Sequence, residues 1–304
     1  MRKSSERIMI WLKAARPFSF TASVTPVLLG AAAAFALGIP ARWELLPWFL
    51  LCTFLIHAAT NMINDVYDYR KGADREDTYG SSGVITGGVL TPEQVHRGAF
   101  AALAAAFIIG MGLVLVRGVP ILVLGCIGAL GGYAYSGAPL GYKYYALGDL
   151  AVFLLMGVCL VAGSYYALTA DLSWRVILFS LPISCLVSAI LHANNLRDIP
   201  HDRRAGFRTL AGILGHQKAG WFYTGLIVLP YVLTAGYILS GLLGSWSWLI
   251  LLTAPLAGNN IVQVFRSSEG VPSDLARLDQ QTAKLHLTFG LIFILSLVLQ
   301  KGSL

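Results

Sequence analysis

Asn61-Met62-Ile63-Asn64-Asp65-Val66-Tyr67-Asp68-Tyr69-Arg70-Lys71-Gly72-Ala73-Asp74 closes an apolar run over residues 44–63. The run is close to the ~20 residues a helix needs to cross the hydrocarbon of a bilayer. Its end places amides and carboxylates where an apolar helix meets a basic loop. A second stretch of this kind, Asn194-Asn195-Leu196-Arg197-Asp198-Ile199-Pro200-His201-Asp202-Arg203-Arg204-Ala205-Gly206, closes the run 175–194. Seven more runs, at 18–37, 98–117, 119–136, 148–168, 219–240, 245–265 and 284–300, have comparable length. The chain reads as an all-α polytopic membrane protein with about nine transmembrane helices.

Composition agrees with this reading. Of 304 residues, 56% are hydrophobic and 12% charged, against about 25% charged in soluble domains. The missing charge excludes a soluble protein with a large core, which would need polar faces. Nothing in the basic residues suggests base readout, so no nucleic-acid partner is expected; membrane lipid is the expected surrounding. Cys52, Cys126, Cys159 and Cys185 lie in apolar runs without metal-ligand spacing and read as small core thiols. Residues 1–16 carry Arg2, Lys3, Arg7, Lys13 and Arg16 among apolar residues and read as an interfacial lead-in. The run 18–37 reads as an uncleaved first helix. Gly128 and Gly132 form a GxxxG pair, read as close helix packing.

With the N-terminus in the cytoplasm, eighteen of the 22 Lys and Arg residues fall on that side; only Arg42, Arg117, Arg175 and Lys301 fall on the other. The positive-inside rule then makes the loops 65–97 and 195–218 cytoplasmic, in the cell (inner) membrane. A weak internal repeat is also visible. Asn61 and Asp65 are four apart, as are Asn194 and Asp198; Asp68 and Asp202 follow, then a basic pair and a glycine. One domain over 1–304 is expected, of two pseudo-repeats, about 18–136 and 148–265, plus a ninth helix, with the site between the halves.

On a helix, Asn61, Asn64, Asp65 and Asp68 share one face, and Asn194, Asp198 and Asp202 share another, with Asn195 beside them. A carboxylate at membrane depth costs at least ~2.5–3.5 kcal/mol and wants a partner. Four converging aspartates repel one another unless a cation intervenes. Mg²⁺ suits them, because it takes oxygen ligands and is commonly held by one or two carboxylates plus substrate phosphates. Arg70, Lys71, Arg197 and Arg208 then read as clamps for a diphosphate. Tyr67, Tyr69, Tyr142, Tyr144 and Tyr145 lie in loops suited to offer aromatic faces to a cation, though interfacial anchoring competes for each. Asn64 and Asn195 are expected to face the substrate. His57 and His192, a turn before each motif, read as structural hydrogen-bonding groups.

At these residues the sequence resembles the UbiA-type intramembrane prenyltransferases. It looks most like the branch that prenylates 1,4-dihydroxy-2-naphthoate in menaquinone synthesis. The likeness rests on Asn64-Asp65-x-x-Asp68-Tyr69-x-Lys71-Gly72-x-Asp74 and on Asn194-Asn195-x-Arg197-Asp198-x-x-x-Asp202-Arg203-x-Ala205-Gly206-x-Arg208-Thr209-Leu210. Ala15-Arg16-Pro17, Pro26-Val27-Leu28-Leu29-Gly30 and Leu147-Gly148-Asp149 add to it. The resemblance covers about residues 11–215. It implies a helical bundle around a central, cytoplasm-facing cavity, with the prenyl tail in a lateral, lipid-facing tunnel. It also implies Mg²⁺, two ions, a polyprenyl diphosphate and an aromatic acceptor. Asp65, Asp68, Asp198 and Asp202 would be the catalytic metal carboxylates, assisted by Asn61 and Asn194. Lys71, Arg208, Lys143, Tyr135 and Ser136 would face the diphosphate. The chain departs from the family in having Gly72 where many relatives carry a third acid, with Asp74 two residues on. It also has Gly83 where Arg is frequent, and Arg208 where Lys is common, which keeps the charge but not the geometry.

Two rivals remain at this stage. One is a different acceptor: 4-hydroxybenzoate, homogentisate or a glycerol-type alcohol. The other is a cation-coupled transporter with its aspartates at a repeat interface. Against the latter, the aspartates end their helices at one face, and the adjoining loops are basic.

Overall fold

A computed structural model describes residues 2–75 and 79–302, with side chains from residue 6. The side chains of Arg2 and Lys3 lie outside the described residues. The described residues hold nine helical segments long and apolar enough to cross a membrane. An amphipathic helix, α1 (Arg2–Ala15), precedes them. The spans are α2 (Thr21–Ala36), α3 (Leu46–Arg70), α4 (Pro92–Arg117), α5 (Val119–Ser136), α6 (Gly148–Thr169) and α7 (Trp174–Arg197). Two short helices follow, α8 (Ile199–Arg204) and α9 (Leu210–Leu214), and then the spans α10 (His216–Leu239), α11 (Ser245–Arg266) and α12 (Leu278–Leu299).

Burial sorts the spans. Within α7 72% of the apolar window is buried and within α2 61%, so these two form the centre. Within α4 and α5 the shares are 17% and 11%, so they stand at the rim with Phe107, Ile108, Leu115 and Leu130 facing outward. Such outward apolar surface suits hydrocarbon surroundings, where only closed hydrogen-bonding elements persist. The main core joins α2, α6, α7, α10, α11 and α12 through residues such as Leu29, Phe179, Tyr223, Phe289 and Phe293. A second cluster joins α3 and α4 to Ala14 and to Val84 and Ile85 of the following loop. A third, with Leu45, Leu113, Ile121 and Leu168, closes the opposite end.

Three local features differ from the sequence reading. First, α3 does not stop at residue 63; it continues to Arg70, so the first motif is helical from Asn61 to Arg70, and Gly72 at φ +74° then turns the chain towards Asp74. Second, Asn194, Asp198 and Asp202 do not share one helix. The helix breaks at Asp198, because Pro200 has no N–H to continue the ladder, and Asp202 lies on α8. Third, only one member of the GxxxG pair, Gly132, packs closely on a neighbouring helix. A Cβ on Gly125 or Gly128 would meet nothing within 4 Å, whereas Gly131 and Gly132 pack on Leu155 and Thr60. α6 is interrupted by a π-helical stretch, Phe153–Cys159, a departure that recurs at functional sites.

Candidate active site

A cavity of about 450 Å³ opens where α3 and α7 end. One face of α3 lines it from Asp68 through Asn64, Asn61, His57 and Thr53 to Phe49. α4, α5, α6 and α7 supply the other walls. The mouth is polar and the remainder is apolar, with Leu103, Met111, Leu124, Leu155 and Leu160 among its lining.

At the mouth each motif carboxylate already has a protein partner. Tyr144 Oη donates to Asp68 Oδ1 at 2.8 Å, and Lys143 Nζ donates to Asp68 Oδ2 and to Asn64 Oδ1, both at 2.5 Å. Ser136 Oγ donates to the same Asn64 oxygen at 2.6 Å. Asp65 turns away from the cavity. It is buried against the Arg16 guanidinium and accepts from the Ser82 hydroxyl and, at 3.3 Å, the Ser82 backbone N–H. Arg16 sits at φ +56°, a left-handed conformation costly for a side-chain-bearing residue. The Asn61 amide donates to Ala15 O at 2.9 Å and Ser19 Oγ at 3.0 Å, so its oxygen is left for the cavity. In the second motif Arg197 Nε and Nη2 clamp Asp198 at 2.8 and 2.7 Å, and Nη1 reaches Asp279 at 3.0 Å. Arg197 also donates to Asn194 Oδ1. Thr209 Oγ1 donates to Asp202 at 3.3 Å.

The mouth therefore gathers Asp68, Asp198, Asp202, Asn61, Asn64, Asn194, Asn195, Lys143, Tyr135, Tyr142 and Tyr144, all of which line the cavity. It does not gather every residue singled out from the sequence. Arg197 is no free clamp for a diphosphate, because its guanidinium is committed to two carboxylates and an amide. Arg70 points outward to Glu93 at 3.3 Å. Tyr69 and Tyr145 are exposed, and Tyr67 bonds to Tyr133 away from the cavity at 3.2 Å. Lys71 lies over the Tyr144 ring at 3.8 Å, while Arg208 is exposed and joins the site only by its backbone N–H, 3.1 Å from Tyr144 O. His192 has the structural role expected of it, bonded to Asp149 Oδ1 at 2.7 Å and to Ala219 O at 3.1 Å. His57 bonds to Ser23 at 2.5 Å, and its ring also lines the cavity.

Arg16 and Asp74, quoted from the sequence without a role, take part in the site, and so do Asp279, which lines the cavity and holds Arg197, and the loop after residue 78. Asp74, displaced by two residues from the family position, lines the cavity nonetheless. The loop places Ser82 on Asp65 and Gly80 against Asp198, so it touches both motifs. A Cβ on Gly80 would lie 3.5 Å from Asp198 Oδ2. The Arg16-Pro17 pair was a visible signal, since a basic residue before a span-opening proline has no role in hydrocarbon.

The donor set can be tested against a divalent ion. Burial and then the neighbouring carboxylate push Asp74 up to about 7 (Asp68 is the neighbour), and likewise Asp202 (beside Asp198). Tyr144 is also held well above its ordinary range by burial and by Asp68. Carboxyls crowded enough to retain protons near neutrality lack positive charge. The carboxylate and amide oxygens of Asp68, Asp74, Asp198, Asp202, Asn61 and Asn64 line the cavity and fit Mg²⁺, with the imidazole of His201 beside them. Among the described residues no three His, Cys, Asp or Glu side chains already converge on one point. Arg16, Lys143 and Arg197 hold them apart on separate partners.

Comparison with known proteins agrees in extent and kind. A 1,4-dihydroxy-2-naphthoate octaprenyltransferase of Bacillus subtilis is 29% identical over 98% of this chain and 94% of that protein. The human UbiA prenyltransferase domain-containing protein 1 is 31% identical over 98% of this chain and 86% of its own length. Two solved structures share the fold. The UbiA homologue of Archaeoglobus fulgidus bound to GPP and Mg²⁺ superposes with a TM-score of 0.62 at 17% identity, over 94% of this chain and 99% of that one. The apo UbiA homologue of Aeropyrum pernix gives 0.66 at 14%, over 91% and 97%. The model of the UbiA prenyltransferase family matches residues 23–298, and the chain is therefore a membrane-embedded member of that family.

Proposed function

We propose that this prenyltransferase moves a polyprenyl group from polyprenyl diphosphate to 1,4-dihydroxy-2-naphthoate, in a Mg²⁺-dependent reaction that releases diphosphate and CO₂. One observation carries the reading: a single cavity with a carboxylate-and-amide mouth and an apolar body. Those two chemistries match a diphosphate head and an isoprenoid tail. Asp68, Asp74, Asp198 and Asp202, with Asn61, Asn64 and Asn194, are the residues that would hold the metal. Held by these residues, Mg²⁺ would supply the positive charge that neutralises a leaving diphosphate. Lys143 supplies positive charge on the α5 side of the mouth, oriented by Asn64 and Asp68. Tyr135, Tyr142 and Tyr144 present aromatic faces where the allylic carbon becomes cationic. The apolar wall excludes water, which would otherwise capture that carbon. The C–O bond to diphosphate breaks with its electron pair leaving on diphosphate, a ring carbon of the acceptor forms the new C–C bond to the allylic cation, and the ring–carboxyl bond breaks to release CO₂ and return its electron pair to the ring.

The Bacillus relative's naphthoate activity supports this acceptor over 4-hydroxybenzoate, homogentisate or a glycerol-type alcohol. The basic loops support a cytoplasmic mouth in the inner membrane. The test is product analysis by mass spectrometry from membranes given Mg²⁺, one prenyl diphosphate and each acceptor separately. Prenylated, decarboxylated naphthoquinol is expected, and excess EDTA should abolish it. A product with another acceptor alone would replace the naphthoate, and full turnover in EDTA would remove the metal.

A further inference from the structure

Arg197 ends α7 and Asp279 stands in the first turn of α12, 82 positions later, yet the two meet at the mouth of the cavity. The Arg197 side chain is 1% exposed. Its Nε and Nη2 engage both oxygens of Asp198, Nη2 also reaches the Asn194 oxygen, and Nη1 donates to Asp279 Oδ2 at 3.0 Å. The Tyr79 ring covers the guanidinium, 5.5 Å from its Cζ. Asp279 is itself held. Its Oδ1 accepts from the Gln280 backbone N–H at 2.8 Å, and the start of a helix favours a negative charge. One guanidinium thus serves two carboxylates. Asp198 and Asn194 belong to the second motif and are proposed above to hold the metal. Asp279 lines the same cavity but belongs to neither motif.

We infer that Asp279 is a positioning residue for the metal site: it carries the charge of Arg197 so that Asp198 and Asn194 can turn their oxygens to the ion. The inference rests on the metal proposed above and adds a residue which that reading does not use. A metal drawn to Asp198 must share it with a guanidinium already bonded to both its oxygens, and the two positive charges repel. Drawing Asp198 away leaves Arg197 buried, and a buried charge stripped of its partner is strongly destabilising. A second carboxylate on another helix removes that cost, because Arg197 keeps an ionic partner when the first is withdrawn. The ninth span, which carries no motif, thereby takes part in the site.

The experiment measures Mn²⁺ binding to the full-length protein in detergent by electron paramagnetic resonance, with no turnover. Mn²⁺ takes the same oxygen ligands as Mg²⁺. Each titration is run alone and with an unreactive thiolo analogue of farnesyl diphosphate. Asp279→Asn should weaken Mn²⁺ binding by at least about 10-fold, a part of what stripping a buried charge of its partner costs. Asp279→Glu keeps the charge and should bind more tightly than Asp279→Asn. The double variant Arg197→Gln with Asp279→Asn has no buried cation left to compensate, and should bind at least as tightly as the unaltered protein. It gives the answer even if Asp279→Asn alone does not fold. A double variant as weak as Asp279→Asn, or weaker than the unaltered protein by about 10-fold, would overturn the inference, because Asp279 would then act on the metal directly and not through Arg197. Asp279→Asn binding Mn²⁺ as tightly as the unaltered protein would overturn it too, while leaving the metal assignment standing. An unaltered protein that binds no Mn²⁺ in either condition would overturn the metal assignment, and the role of Asp279 with it.

Discussion

Asp68 and Asp202 face one cavity from two helices, Asp68 held by Lys143 and Tyr144 and Asp202 by Thr209. If both serve one bound diphosphate, Asp68→Asn and Asp202→Asn should each cost at least ~10²-fold in turnover. The double variant should cost little more, because residues acting as a unit are not additive. Turnover near normal in one single variant and absent in the other would assign that motif a structural role. The same crowding makes a pH prediction. Asp74 and Asp202 titrate near 7 in the fold against an ordinary 3.8. Between those values the folded state holds more protons than the unfolded chain, so stability falls as pH rises through the window. Thermal melting of metal-free protein should drop from pH 5 to pH 8, and saturating Mg²⁺ should flatten the drop by replacing the protons. A melting temperature that climbs over that range without metal would contradict the crowding. Most of the mouth was legible in the motif spacing. Arg16 was not assigned a partner, because its contact with Asp65 spans 49 positions of sequence and no local pattern encodes it.

Helix contacts set a second level. Gly157 sits in the π-helical part of α6 against α7, where a Cβ would lie 2.6 Å from Ser184 Cα. Gly157→Ala must push the two helices apart and should destabilise the protein by about 1–3 kcal/mol, read as a lower melting temperature in detergent. Gly225→Ala on α10, where a Cβ meets nothing within 4 Å, is the matched control. It should be neutral or stabilise by up to about 1 kcal/mol. Equal loss in both would show that the contact at Ser184 does not matter. The spans were legible because apolar length alone specifies them. The partners of individual glycines were not. The same GxxxG spacing that signals packing elsewhere here leaves Gly128 on an open wall while Gly132 meets α3. Which face of a helix meets a neighbour depends on the bundle and not on the helix. The break at Asp198 could have been anticipated from Pro200 two residues later.

Across the whole molecule, eighteen of the 22 basic side chains should lie on the side where the cavity opens. A cysteine introduced at Ala205 should react with impermeant reagent only after the cytoplasmic face is exposed, and one at Asp171 from the outer face of intact cells. The reverse pattern would invert the topology. The third core cluster lies at the far end of the bundle, and its Leu113 and Ile121 line the cavity. There Arg117 bonds through Nε to Ala167 O at 2.6 Å and also to Leu168 O, tying α4 to the end of α6. The protein crosses the bilayer but its polar interior does not. A membrane that stores energy as an ion gradient can therefore carry many copies of this enzyme without electrical leak. Each copy is a one-sided well, wet at the rim and insulating at the bottom.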